Sequence, residues 1–169
     1  LNNKTTFHKD LIKSAFDKLN SRGPEDSKEN YYSDKLYLGF KRLAINGLNE
    51  GSNQPITVKG ITLICNGEIY NYKVLYSELY GGYDVTPETD SDCEIIIHLY
   101  ILFGIRQTLR LLDGVFSFVL YDCRCGTEDA KVFVARDPFG VRPLFVFERD
   151  SMNDNLVNPV SYTHLTLPT

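Results

Sequence analysis

At 169 residues, 43% hydrophobic and 24% charged, the chain can enclose one well-buried core and is short for two. Its formal net charge of -4, with 18 basic residues dispersed along the sequence, leaves no basic footprint for nucleic acid or an anionic membrane surface. No apolar run reaches the roughly 18 residues of a spanning helix, and residues 1–10 are too polar for a signal peptide, so a cytoplasmic protein is expected.

In chain order, Phe7, Leu11, Ala15 or Phe16, and Leu19 recur at helical spacing over residues 5–20, and Ser21-Arg22-Gly23-Pro24 ends that helix. Residues 25–30 read as a polar loop. Residues 35–45 alternate through Leu36, Leu38 and Phe40, which predicts a strand with a turn or bulge near Lys41. Residues 46–55, rich in Gly and Asn, form a long exposed loop of a size that is often functional. The runs 56–58 and 61–65, separated by Lys59-Gly60, predict a hairpin. Asn71 is placed to cap a helix through Tyr80, which Gly81-Gly82 would then close as a turn.

Ser91 with Glu94 three residues on has the pattern of a capping box for a helix to about Phe103; a second helix over residues 107–112 stops at Asp113-Gly114. Two apolar strands, 115–121 and 131–135, flank a polar link, and Arg136 to Gly140 turns the chain toward a last strand over 144–147. An ion pair between Arg136 and Asp137 is expected to hold that turn. Strand pairs separated by helix pairs favour a layered α+β domain over a doubly wound parallel sheet.

The chemistry concentrates at Asn66-Gly67, where an apolar strand ends. A side-chain amide and an unshielded backbone N–H in one concave spot form the donor set that stabilises a tetrahedral oxyanion. Taken alone, the same dipeptide reads as a hairpin turn. The four cysteines, Cys65, Cys93, Cys123 and Cys125, lack zinc-site spacing and read as reduced structural thiols. His98 follows Cys93 on the same helix but faces away from it, so no thiol–imidazole nucleophile is expected.

In order, Arg22-Gly23-Pro24, Lys41-Arg42-Leu43-Ala44-Ile45, Gln54-Pro55, Asn66 to Asn71, Ser91-Asp92-Cys93-Glu94, Leu112 to Phe118 and Ala135 to Leu144 resemble the class II glutamine amidotransferase domain of asparagine synthetases. The resemblance implies a four-layer αββα sandwich, two antiparallel sheets between helices, over residues 1–150, with 151–169 an unassigned tail foreign to the fold. It also implies a glutaminase in which an N-terminal cysteine attacks the glutamine side-chain amide, its own α-amino group taking the thiol proton.

On this reading Asn66 and Gly67 are the oxyanion donors. Arg42 grips the α-carboxylate of L-glutamine with its planar fork, Asp92 and Glu68 meet the α-ammonium, and Leu43 and Ile45 wall the pocket. Taken singly, Arg42 would be a surface charge and Asp92 a cap. No metal or cofactor is expected in this domain; ATP and Mg²⁺ would serve a C-terminal synthetase domain that amidates aspartate. A homodimer is compatible with the resemblance. Because no cysteine precedes Cys65, the chain is expected to lack the nucleophile and its opening strand, and to be inactive alone. The alternatives are the same domain from a phosphoribosyl-pyrophosphate or hexosamine-phosphate amidotransferase, or a nucleophile-free glutamine-binding module.

Overall fold

The computed structural model describes residues 9–21, 23–33, 36–43, 52–145 and 164–167. Helix α1 (Lys9–Asp17) precedes a two-stranded antiparallel ribbon of β1 (Asp26–Ser33) and β2 (Leu36–Arg42). A second antiparallel sheet runs in the order β3-β4-β5-β6-β7, from β3 (Ile56–Val58), β4 (Ile61–Ile69), β5 (Gly114–Asp122), β6 (Lys131–Arg136) and β7 (His164–Leu167). Between β4 and β5 the chain forms α2 (Tyr72–Tyr83), a 3₁₀ turn at Asp92–Glu94 and α3 (Ile95–Leu111).

Alternation along the strands assigns the layers. On β2, Gly39 and Tyr37 face α1: the Phe16 ring meets Tyr37 edge-on at 6.1 Å, and a Cβ on Gly39 would come within 2.7 Å of that ring. Leu36 and Leu38 point the other way, packing with Ile64, Val119, Tyr121 and Val132 of the larger sheet. That sheet turns its opposite face, including Ile61, Leu63, Cys65, Phe116 and Phe118, onto Leu75 and Leu79 of α2 and Ile95, Ile96 and Leu99 of α3. The layers therefore follow the expected αββα order. Nearly complete burial of this second core makes it the main source of hydrophobic stabilisation.

The apolar strands fall within a few residues of expectation, and the Lys59-Gly60 turn has φ of 48° and 77°, the positive pair that a two-residue hairpin of right-handed twist requires. Elsewhere tertiary context overrides local signals. The polar stretch 25–30 is largely strand β1, because it lies on an outer ribbon whose side chains face solvent and carries no apolar alternation to read. β2 shows no break at Lys41 and pairs regularly with β1 through Arg42. Gly81 and Gly82 lie inside α2, which stops only at Asp84 in the left-handed region, φ 51°. Asn71 makes no side-chain cap; its amide bridges Leu111 carbonyl and Asp113 N–H at 2.8 and 3.0 Å, tying the start of α2 to the end of α3.

The capping box does not form either. Glu94 is fully buried, accepts the Glu88 and Thr89 N–H groups at 2.7 and 2.6 Å, and meets His98 at 2.8 Å. Burial pushes its carboxyl up, but those partners more than offset this and hold it below the ordinary value. The two helices expected from 91 to 112 are present, α3 being divided at Gly104, whose φ of 72° and ψ of 168° are not helical. Asp137 is held by the main chain instead of by the Arg136 guanidinium: Phe116, Phe139, Val141 and Arg142 N–H groups reach its carboxylate at 3.0–3.3 Å, and Arg136 donates to the Asp137 carbonyl. Leu144 and Phe145 carry no strand, and residues 146–147 of that expected strand lie outside the described residues, as do residues 46–51 of the expected loop and 44–45 of the strand before it. The end of that loop is not exposed, since Ser52 is buried and residues 53–55 are half-buried.

At the far end of β5, Asp122 accepts Tyr100 Oη at 2.8 Å and Arg124 Nε and Nη2 at 2.9 and 2.7 Å. The Arg124 hydrogen bonds lead the causes that lower its carboxyl from 3.8 to about 2. A depressed pKa stabilises the fold above the unfolded value, and the contribution is lost as pH falls through about 2. Thermal melts between about pH 5 and pH 2 should therefore fall less steeply for Asp122→Asn than for the parent; parallel slopes would contradict this.

Candidate active site

The open end of β4, the end of β2, the segment at Ser52 to Gln54 and the 3₁₀ turn enclose a cleft of about 460 Å³. Its lining brings together Arg42, Leu43, Asn66, Gly67, Glu68 and Asp92, which the sequence carries on separate segments. Ile45 lies outside the described residues.

Asn66-Gly67 is neither a turn nor a strand end. β4 continues to Ile69, with Asn66 opposite Ser117 and Gly67 opposite Phe116. The continuation requires glycine at 67, because a Cβ there would overlap the Val115 carbonyl oxygen and lie 2.5 Å from Phe116 Cα. Alternate residues of an antiparallel strand turn their N–H and C=O to opposite neighbours. Cys65 gives both groups to the Gln54 side chain on the β3 side, and Ile69 N–H goes to Asp92 Oδ2 at 2.6 Å. Gly67, two residues from each, turns its N–H to the same side. There β3 has already ended, its last rung being Ile56 opposite Leu63, so the Gly67 N–H faces the cleft.

The Asn66 and Glu68 side chains are exposed, on the face opposite the buried Cys65 and Ile69. Across the cleft, Arg42 is buried at the end of β2, its backbone carbonyl accepting Glu25 N–H at 3.2 Å and its Nη1 donating to Asn53 Oδ1. Leu43 is on the rim, with 58% of its surface exposed, and so walls little of the interior.

Asp92 is buried at the start of the 3₁₀ turn. Burial raises its carboxyl, the Ile69 N–H opposes the rise, and the neighbouring negative charge of Glu68 adds to it. A cation placed beside Asp92 would favour its ionised form against that burial and that neighbouring charge. The cleft thus gathers a guanidinium, two carboxylates and the donors of Asn66 and Gly67 in one lining.

The two thiols at the cleft wall are unsuited to attack. Cys65 and Cys93 are 2% and 3% exposed, and a hydrogen bond with Cys65 together with burial pushes the Cys93 thiol well above its ordinary value. His98 is engaged by Glu94 at 2.8 Å. Among the described residues no cluster of His, Cys, Asp and Glu could hold a metal, and no helix is long and apolar enough to cross a membrane. Sequence reasoning did not find Ser52, Ser91 and Arg142 in the lining, and gave Gln54 no role. The signal for Gln54 is a mismatch in length: a three-residue β3 cannot satisfy a nine-residue β4.

Two antiparallel sheets between helices, with an open strand edge at the cleft, are a fold of the glutamine amidotransferase class. The glutamine amidotransferase domain family matches residues 1–158, and the chain belongs to that family. It is similar to asparagine synthetase [glutamine-hydrolyzing] 2 of Bacillus subtilis (strain 168), 39% identical over 145 residues, covering 85% of this chain and 18% of that protein. It is also similar to the asparagine synthetase [glutamine-hydrolyzing] of Homo sapiens, 44% identical over 134 residues, covering 76% of this chain and 22% of that protein. The chain thus spans about a fifth of the length of these curated relatives. Among solved structures, the glutamine phosphoribosylpyrophosphate (PRPP) amidotransferase from B. subtilis, complexed with ADP and GMP, matches with a TM-score of 0.56 and 25% identity, over 68% of this chain and 26% of that one.

Proposed function

We propose that this chain is the glutaminase portion of a cytoplasmic asparagine synthetase, which hydrolyses L-glutamine and passes the ammonia to an ATP- and Mg²⁺-dependent synthetase domain for amidation of aspartate. The observation that carries the reading is one cleft lined by Gly67 on an open strand edge and by Asn66, Arg42, Glu68 and Asp92. The sequence relatives, at 39% and 44% identity, favour this over the phosphoribosylpyrophosphate amidotransferase, whose structure matches at 25%.

The chemistry then runs as follows. By the family's chemistry, an N-terminal cysteine attacks Cδ of the glutamine side chain while its own α-amino group takes the thiol proton. The amide oxygen becomes an oxyanion held by Asn66 and the Gly67 N–H. Collapse of this intermediate expels ammonia, protonated by the α-ammonium, and leaves a thioester; water then releases glutamate. Arg42 and the Asp92–Glu68 pair hold the other end of the substrate throughout.

Glutamate release from glutamine by the full-length enzyme tests the proposal, with Arg42→Lys as the diagnostic variant. A lysine keeps the charge but loses the bidentate fork, so KM for glutamine should rise about tenfold or more with kcat little changed. Binding as tight as the parent's would contradict the carboxylate clamp. Glutamine binding without hydrolysis would support a nucleophile-free binding module.

A further inference from the structure

We propose that Gln54 is a positioning residue for the oxyanion hole, its side-chain amide serving as the rung of sheet that sets the Gly67 N–H; the role rests on the glutaminase reading above. β3 pairs with β4 only from Val58 opposite Ile61 to Ile56 opposite Leu63. Pro55 precedes it and has no N–H to extend the ladder. The next residue of β4 that faces this side is Cys65, and the Gln54 amide satisfies both of its main-chain groups: Cys65 N–H donates to Oε1 at 2.5 Å, and Nε2 donates to the Cys65 carbonyl at 2.8 Å.

A longer strand in this place would have continued to Gly67 and consumed its N–H. A side-chain amide supplies one rung and stops. On the far side of Gly67, Asp92 Oδ2 takes the Ile69 N–H at 2.6 Å, so the donor lies between two anchored amides. That anchoring matters because glycine has no side chain to lock its own dihedrals. Asn66, between Cys65 and Gly67, is aimed by the same restraint. Loss of the Gln54 amide leaves a donor and an acceptor at Cys65 beside a residue only 2% exposed, and the strand relaxes where geometry matters most.

The test uses the full-length enzyme with glutamine. Gln54→Ala should lower kcat about tenfold to a hundredfold while KM stays within about threefold, because Arg42 and Asp92 still hold the substrate and a misplacement near 1 Å carries a cost of that order. Gln54→Glu keeps the acceptor for Cys65 N–H and loses the donor to the Cys65 carbonyl. Protonation restores that donor, so turnover of Gln54→Glu relative to the parent at the same pH should rise between about pH 8 and about pH 5.5. A kcat like the parent's in Gln54→Ala would overturn the proposal. So would a loss that merely tracks the folded fraction in thermal melts, with no relative recovery of Gln54→Glu at low pH. Two controls separate the levels: if Asn66→Ala loses turnover and Gln54→Ala does not, only the positioning role falls; if Asn66→Ala keeps turnover, the oxyanion hole falls and takes the role with it; and if the parent itself releases no glutamate from glutamine, the glutaminase reading falls.

Discussion

Asn66→Ala should lower kcat for glutamine hydrolysis by about 10²–10³-fold, equivalent to about 2.7–4 kcal/mol, with KM changed little. The side chain is exposed on β4 and lines the cleft, so its removal opens no cavity in the core. Its donor meets charge that exists only after attack, which is why the loss falls on kcat. The Gly67 N–H remains in the variant and accounts for residual turnover. Steady-state kinetics on the full-length enzyme decide the point: a kcat within a few-fold of the parent contradicts the oxyanion role.

Asp92→Asn should act on the opposite parameter. An asparagine retains an oxygen for the Ile69 N–H, so the 3₁₀ turn and β4 keep their junction, while the charge that meets the substrate ammonium is lost. A charge-assisted hydrogen bond contributes about 1.5–3 kcal/mol, which predicts a rise in KM of about 10–150-fold with kcat within a few-fold. The deaminated analogue of glutamine supplies the control. It should bind the parent much more weakly than glutamine does, and the gap should narrow in the variant. An unchanged KM, or a gap of the same size in both proteins, contradicts the assignment.

The contrast between these two variants follows from what each residue touches, and the sequence displayed only part of that. The core strands were legible because residues 61–65, 115–121 and 131–135 are largely apolar runs bounded by turn residues. β1 was not, since a ribbon strand with solvent on its side chains has no apolar period to read. At Asn66-Gly67 the sequence suggested a strand end or a turn, and the structure continues the strand. Only the register against Phe116 and Ser117, and the close approach of the Val115 carbonyl, show that glycine is needed to continue the strand.

Other readings depended on partners far away in sequence. Glu94 follows Ser91 at capping-box spacing, yet its carboxylate is taken by the Glu88 and Thr89 amides and by His98. Asn71 resembles a cap and instead joins Leu111 to Asp113, roughly a helix pair away. For the site, residue chemistry pointed to Arg42, Glu68 and Asp92, and the structure places all three around one cleft. Gln54 required the sheet register itself, because nothing in a Gln-Pro dipeptide reveals which strand is left short of a partner.

The central claim is that glutamine is read by this cleft with its side-chain carbonyl at the Gly67 N–H. The direct measurement is a titration of the 169-residue chain, labelled with ¹⁵N-glycine, with L-glutamine. The account predicts a saturable shift of the Gly67 amide resonance that D-glutamine does not reproduce and Asp92→Asn weakens. Saturable binding of L-glutamine that leaves the Gly67 amide unmoved would contradict it.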